Sequence, residues 1–121
     1  MLGTTYRVAD TFDRSEHVVL YPGDCLDLLR TIRDGTIQLV VTSPPYNIGK
    51  EYEQRLDLEN YLEQQAKVIR ECARTVAPTG SICWQVGNYV DKGAIIPLAT
   101  LLYTFFSKLG LRMRNRSAES C

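Results

Sequence analysis

The organisation of the chain turns on Ile37-Gln38-Leu39-Val40-Val41-Thr42-Ser43-Pro44-Pro45-Tyr46-Asn47. Ile37 to Thr42 is β-branched and almost continuously apolar, the pattern of a parallel strand buried on both faces. It runs directly into two prolines. Each proline locks its own φ and lacks an N–H, and each pushes the preceding residue to extended geometry. The pattern therefore predicts a strand that ends in a stiff loop. The Ser43 hydroxyl and the flat Tyr46 ring would point from it in fixed directions.

Working outward, Val18 to Tyr21 reads as a short strand stopped by Pro22-Gly23. Asp24 can cap a helix from about Cys25 to Arg33, ended by Asp34-Gly35. After a loop from Ser43 to about Leu56, Asp57 can cap a longer helix to about Ala77. Its core face would carry Leu58, Leu62, Ala66, Ile69, Cys72, Ala73 and Val76. Pro78-Thr79-Gly80 reads as a turn, Ser81 to Val86 as a strand and Gly87 to Gly93 as a loop. Ile95 to Leu109 reads as a helix with Gly110 at its end, and Leu111 to Arg116 as the start of a further strand. Alternating strands and helices define an α/β domain with right-handed crossovers, whose ligands bind at the carboxyl ends of the strands. The strand-end loops at Pro22–Leu26, Ser43–Leu56 and Gly87–Gly93 are thus the places to look for a site.

The composition narrows the class. The 121 residues are 45% hydrophobic and 23% charged, which is ordinary globular usage. Lys+Arg and Asp+Glu number 14 each, so a basic nucleic-acid-coating protein is disfavoured while a local basic patch stays open. No apolar run approaches the ~20 residues that span a bilayer, and no signal-peptide pattern opens the chain, so a cytoplasmic protein is expected. Cys25, Cys72, Cys83 and Cys121 are widely spaced and are expected to be buried reduced thiols. A single histidine, His17, argues against His-based metal chemistry.

Thr42-Ser43-Pro44-Pro45-Tyr46-Asn47 and the continuation Ile48-Gly49-Lys50-Glu51-Tyr52-Glu53 resemble motif four of the DNA amino-methyltransferases, in particular their permuted beta group. Tyr21 to Leu26, Pro78 to Ser81, Val86-Gly87-Asn88 and Leu111 to Arg116 match further family segments in order, so the resemblance spans about residues 18–116. It implies a partial Rossmann-like, AdoMet-dependent methyltransferase fold, with a mostly parallel sheet flanked by helices. It implies S-adenosyl-L-methionine (AdoMet) as cofactor and double-stranded DNA with a flipped target base as substrate. It also implies a bacterial or phage restriction-modification setting.

The chemistry fits these residues. An exocyclic amine is a poor nucleophile, because its lone pair is delocalised into the ring. By family analogy the Ser43 hydroxyl and Pro44 carbonyl accept from that amine and turn it toward the methyl donor. Pro45 would stiffen the loop, and the resemblance implies that Tyr46 stacks on the flipped base. Asp24, with Cys25 beside it, has two readings: recognition of the AdoMet adenine, or a plain helix N-cap. Asn47, Lys50 and Asn88 are weaker substrate or loop candidates. Trp84 reads as core, and Arg112, Arg114 and Arg116 read as a solvated strand face.

The sequence also departs from the family. The glycine-rich AdoMet loop is absent, since no Gly-x-Gly occurs. Residues 1–17 read as a loose lead-in, 18–116 as the N-terminal half of the catalytic domain, and 117–121 as a tail outside the family pattern. A truncated chain, inactive alone, is expected. The short strand at 18–21 must then either pair with 37–42 or leave a gap with exposed apolar surface. Ser before Pro-Pro leans slightly toward N4-cytosine over N6-adenine. The alternatives are a non-catalytic remnant or interaction module, or one subunit of a split methyltransferase. A complementary chain or self-association belongs with these readings.

Overall fold

The computed structural model describes residues 3, 5–44, 58–91 and 93–114. Its elements, in chain order, are β1 (Val8–Ala9), β2 (Val18–Val19), α1 (Cys25–Leu29), β3 (Ile37–Thr42), α2 (Leu58–Thr75), β4 (Val76–Trp84), β5 (Asn88–Asp91), β6 (Ala94–Pro97) and α3 (Leu98–Lys108). Among the described residues β1 pairs with β2 and β3 with β4, both parallel, and β5 pairs with β6 antiparallel. The α/β alternation and the parallel central pair agree with the expected fold class.

β3 falls on the six residues expected of it. Its partner holds the register Leu39↔Ser81, Val40↔Ile82, Val41↔Cys83 and Thr42↔Trp84. The expected turn at Pro78–Gly80 is instead a bulge inside β4, because the register jumps between Ile37↔Val76 and Leu39↔Ser81. The Gln38 amide donates to the Thr79 carbonyl at 3.1 Å and holds the bulge to β3. Glycine is required at the bulge. A β-carbon at Gly80 would lie 2.7 Å from Val76 Cγ2 and 2.8 Å from the Gln38 carbonyl oxygen.

α2 packs on β4, and α1 and α3 pack on α2. Tyr61 and Leu98 form the centre of a core cluster joining α2 to α3, packed by Leu58, Leu62, Val86 and Ile96. Ile69, Leu98 and Leu102 are the most deeply buried apolar side chains. The buried stripe of α2 is Tyr61, Gln65, Ile69, Cys72 and Thr75. It is rotated slightly from the expected one, because α3 packs on the Tyr61 side. α3 ends in a Schellman cap: Leu111 N–H donates to the Phe106 carbonyl at 3.1 Å and Gly110 N–H to Ser107 at 3.0 Å. Gly110 has φ of +82°, which a side chain would strain.

Several expectations need correction. The lead-in contains β1, whose Ala9 carbonyl accepts from Leu20 N–H at 2.8 Å. α1 stops at Leu29 and not near Arg33, since the Arg74 guanidinium takes the Leu29 and Ile32 carbonyls at 2.8 Å each. Those carbonyls belong to α1's last turn and its trailing turn, and Arg74 satisfies them without further helix. The segment read as a loop at 87–93 and as the first helical turn at 95–97 is a hairpin. Asp91 pairs with Ala94 across a two-residue link. β-Branched Ile95-Ile96 extends, and Pro97, without an N–H, delays α3 to Leu98. Leu111 to Arg114 form no strand, while Arg116 lies outside the described residues. Of the cysteines, only Cys72 is buried; Cys25 and Cys83 are exposed, and Cys121 is not described.

β2 does not pair with β3 among the described residues; it pairs with β1 instead. Leu39 and Val41, on one face of β3, are 57% and 71% exposed.

Candidate functional site

Of the candidate site residues, Ser43, Pro44 and Asn88 follow the ends of β3 and β4. Gln85 N–H donates to the Thr42 carbonyl at 2.9 Å, so ladder bonding persists to the residue before Ser43. Ser43 is exposed and Pro44 half-buried. Pro45, Tyr46, Asn47 and Lys50 lie outside the described residues. Asn88 leaves the same end of the β3–β4 pair. It sits in β5, opposite Pro97, and not in the expected loop.

Trp84 backs this strand end. It is half-buried, opposite Thr42, with its ring edge against Phe106 at a centroid distance of 5.6 Å. Trp84 therefore packs at the margin of the core and not within it. Its indole N–H and the Gln65 side-chain carbonyl are buried polar atoms with no hydrogen-bond partner among the described residues. No local pattern signals either of them.

Asp24 sits at the other expected strand end. Its backbone is extended and Oδ1 accepts from Leu26 N–H at 2.9 Å, the geometry of an N-cap. The side chain is exposed, and its second oxygen has no hydrogen-bond partner among the described residues. A carboxylate so placed fits an amino or hydroxyl donor of a nucleoside, so capping and ligand binding are chemically compatible. Cys25 follows it, exposed, its thiol pKa raised by partial burial and then by Asp24. Two clefts, of about 290 and 440 Å³, lie elsewhere, and neither is lined by Ser43, Pro44, Asp24 or Asn88. β2 and β3 belong to separate ladders. Among the described residues there is no metal-binding group of His, Cys, Asp or Glu. No helix among them is long and apolar enough to cross a membrane.

The strand that runs into Ser43 at the carboxyl end of a parallel pair falls within a segment shared with known DNA methylases. A family model described as DNA methylase matches residues 37–116, and the chain belongs to that family of DNA amino-methyltransferases. It is 44% identical over 110 residues to the Type II methyltransferase M.BglII of Bacillus subtilis, covering 90% of this chain. A Thermus thermophilus protein assigned as a DNA modification methylase superposes with a TM-score of 0.65 at 27% identity, over 88% of this chain. The PvuII cytosine-N4-specific DNA methyltransferase superposes at 0.61 over 87% of this chain, with 23% identity, and shares the fold. The chain spans 31% of the length of M.BglII, and 41% and 36% of the two solved chains. The fold is accordingly part of the Rossmann-like α/β methyltransferase architecture.

Proposed function

We propose that this chain carries the target-amine half of an AdoMet-dependent DNA methyltransferase acting on N4 of cytosine, with N6 of adenine as the alternative target. The observation that carries the reading is the Gln85-to-Thr42 hydrogen bond at 2.9 Å, which pins the strand one residue before Ser43. Ser43 and the Pro44 carbonyl then accept from the exocyclic amine in a fixed geometry, at little reorganisation cost during reaction. The amine lone pair forms the new N–C bond as the methyl group's bond to sulfur breaks, and the electrons of that bond stay on sulfur. The amine's surplus proton leaves toward these acceptors and solvent. Tyr46 stacks on the extruded base. AdoMet supplies the methyl group when bound, and Asp24 would hold its nucleoside end. One Thermus thermophilus neighbour, superposing with a TM-score of 0.59 at 32% identity, was solved in complex with S-adenosyl-L-methionine and supports this choice of donor. The bare Leu39–Val41 face supports a second reading, in which the chain works together with a further polypeptide.

The test is transfer of labelled methyl groups to duplex DNA, by the chain alone and by the chain joined to the remaining length of M.BglII. Mass spectrometry of the digested DNA separates N4-methylcytosine from N6-methyladenine. In the competent form, Ser43→Ala should slow transfer by about 100-fold. Tyr46→Ala should slow it by about 10-fold, the value of one stacked base. Full turnover in both variants would remove the assignment.

A further inference from the structure

We propose that the cleft between α1 and α2 is a phosphate-binding site. It measures about 290 Å³ and is lined by Leu26, Arg30, Lys67, Arg70, Glu71 and Arg74. The four α2 residues recur at i, i+3, i+4 and i+7, so a single face of α2 forms one wall. Leu26 and Arg30, one turn apart, form the other.

The charge balance inside the cleft is uneven. Arg74 donates from Nε to Glu71 at 2.5 Å and from a terminal nitrogen to Asp34 at 2.6 Å. Further N–H groups of the same guanidinium serve the Ile32 and Leu29 carbonyls. Arg74 is therefore an internal tie. It also neutralises Glu71, the one carboxylate that lines the cleft. Arg30, Lys67 and Arg70 remain. Arg30 meets Asp27 at 3.6 Å with both side chains about 60% exposed, a weak pair in water. Neither Lys67 nor Arg70 has an ion pair or hydrogen bond among the described residues.

Three under-compensated cations around one concavity focus a positive potential. Arginine offers paired donors and lysine a point charge, and both suit phosphate oxygens. The shared ligand chemistry is a phosphate group, either in a nucleic-acid backbone or free in solution. Ser43, Pro44, Asp24 and Asn88 do not line this cleft, so this inference does not rest on that reading.

The experiment is a pair of NMR titrations of the whole chain, one with sodium pyrophosphate and one with a duplex DNA. Saturable shifts are expected at the amides of Leu26, Arg30, Lys67 and Arg70. The double variant Lys67→Gln/Arg70→Gln alters two exposed positions and should keep the fold, which circular dichroism checks. It should weaken binding about tenfold and reduce the salt slope of duplex binding by about two. Lys108→Gln, at the end of α3, should leave both unchanged. Binding of the duplex alone identifies a backbone-phosphate site, and binding of pyrophosphate alone identifies a site for free phosphoanions. Competition between the two shows that both sources are accepted. No saturable shift with either probe, or an affinity that survives the double substitution, overturns the proposal. Because Ser43 lies outside the cleft, either result stands whatever the methyl-transfer assay shows.

Discussion

Thr42 and Trp84 face each other as the last paired residues of the β3–β4 ladder, so the indole flanks the strand end from which Ser43 emerges. Trp84 also braces α3 through its edge contact with Phe106. Trp84→Ala should lower the unfolding free energy by about 3 kcal/mol, the low end for a large aromatic, because the ring is only half-buried. Trp84→Phe keeps an aromatic contact and removes the unpartnered N–H, so it should cost under about 1.5 kcal/mol. Urea unfolding of the two variants measures both. Equal losses would mean that the ring does not support this strand end.

Gly80 sits where β3 approaches the bulge most closely. Two of the atoms that a new β-carbon would meet are backbone carbonyl oxygens, of Gln38 at 2.8 Å and Ala77 at 3.1 Å, and these yield little. Gly80→Ala should therefore destabilise by about 1–3 kcal/mol. An unchanged urea midpoint would show that the bulge can relax.

The parts of the fold legible in the sequence are those governed by local pattern. β3 is readable from its β-branched run, the body of α2 from its 3–4 periodicity, and the end of α3 from Gly110. The misreadings arise where a distant group overrides local preference. α1 is cut short by Arg74, which is 45 positions away from Leu29. The Pro78–Gly80 turn signal becomes a bulge because Gln38 holds it against β3. The β5–β6 hairpin carries a readable signal in Gly93, the β-branched pair Ile95-Ile96 and Pro97, which the helix reading from Ile95 passed over. At the site, the position of Ser43 is legible because prolines restrict the backbone without tertiary help. The support from Trp84 is not, since strand register depends on a partner far away in sequence.

Cys72 makes stability depend on alkaline pH. Burial, then the neighbouring Cys25 and Glu71, push its thiol from 9.0 up to about 11. Between those values the unfolded chain has released a proton that the folded chain retains, so rising pH favours unfolding. This contribution is intact below about pH 9 and is lost progressively toward about pH 11. Cys72→Ala should flatten the fall of the unfolding midpoint across that window. Cys25, whose thiol is also raised, adds a smaller decline of the same sign. A wild-type profile that matches Cys72→Ala would show that burial does not hold the proton. Alkylation of the native chain gives a parallel readout, with Cys83 labelled readily and Cys72 protected.

Asp24 allows capping and ligand binding to be separated by substitution. Its Oδ1 bond to Leu26 N–H is a property of shape, and asparagine reproduces it. Its negative charge is what an amino-group donor would select. Asp24→Asn should therefore keep the thermal midpoint close to wild type, whereas Asp24→Ala should cost about 1 kcal/mol through loss of the cap. If Asp24 also holds the nucleoside end of AdoMet, both variants should weaken AdoMet binding in the methylation-competent form. Calorimetry should give a loss of about tenfold, the value of one charge-assisted hydrogen bond. Undiminished affinity in Asp24→Asn, together with a destabilised Asp24→Ala, would confine this residue to capping α1 and move the search for the cofactor's acceptor elsewhere. The pair of variants is informative because α1 is only five residues long. A helix that short depends heavily on its first hydrogen bond, so the cap should register clearly in stability.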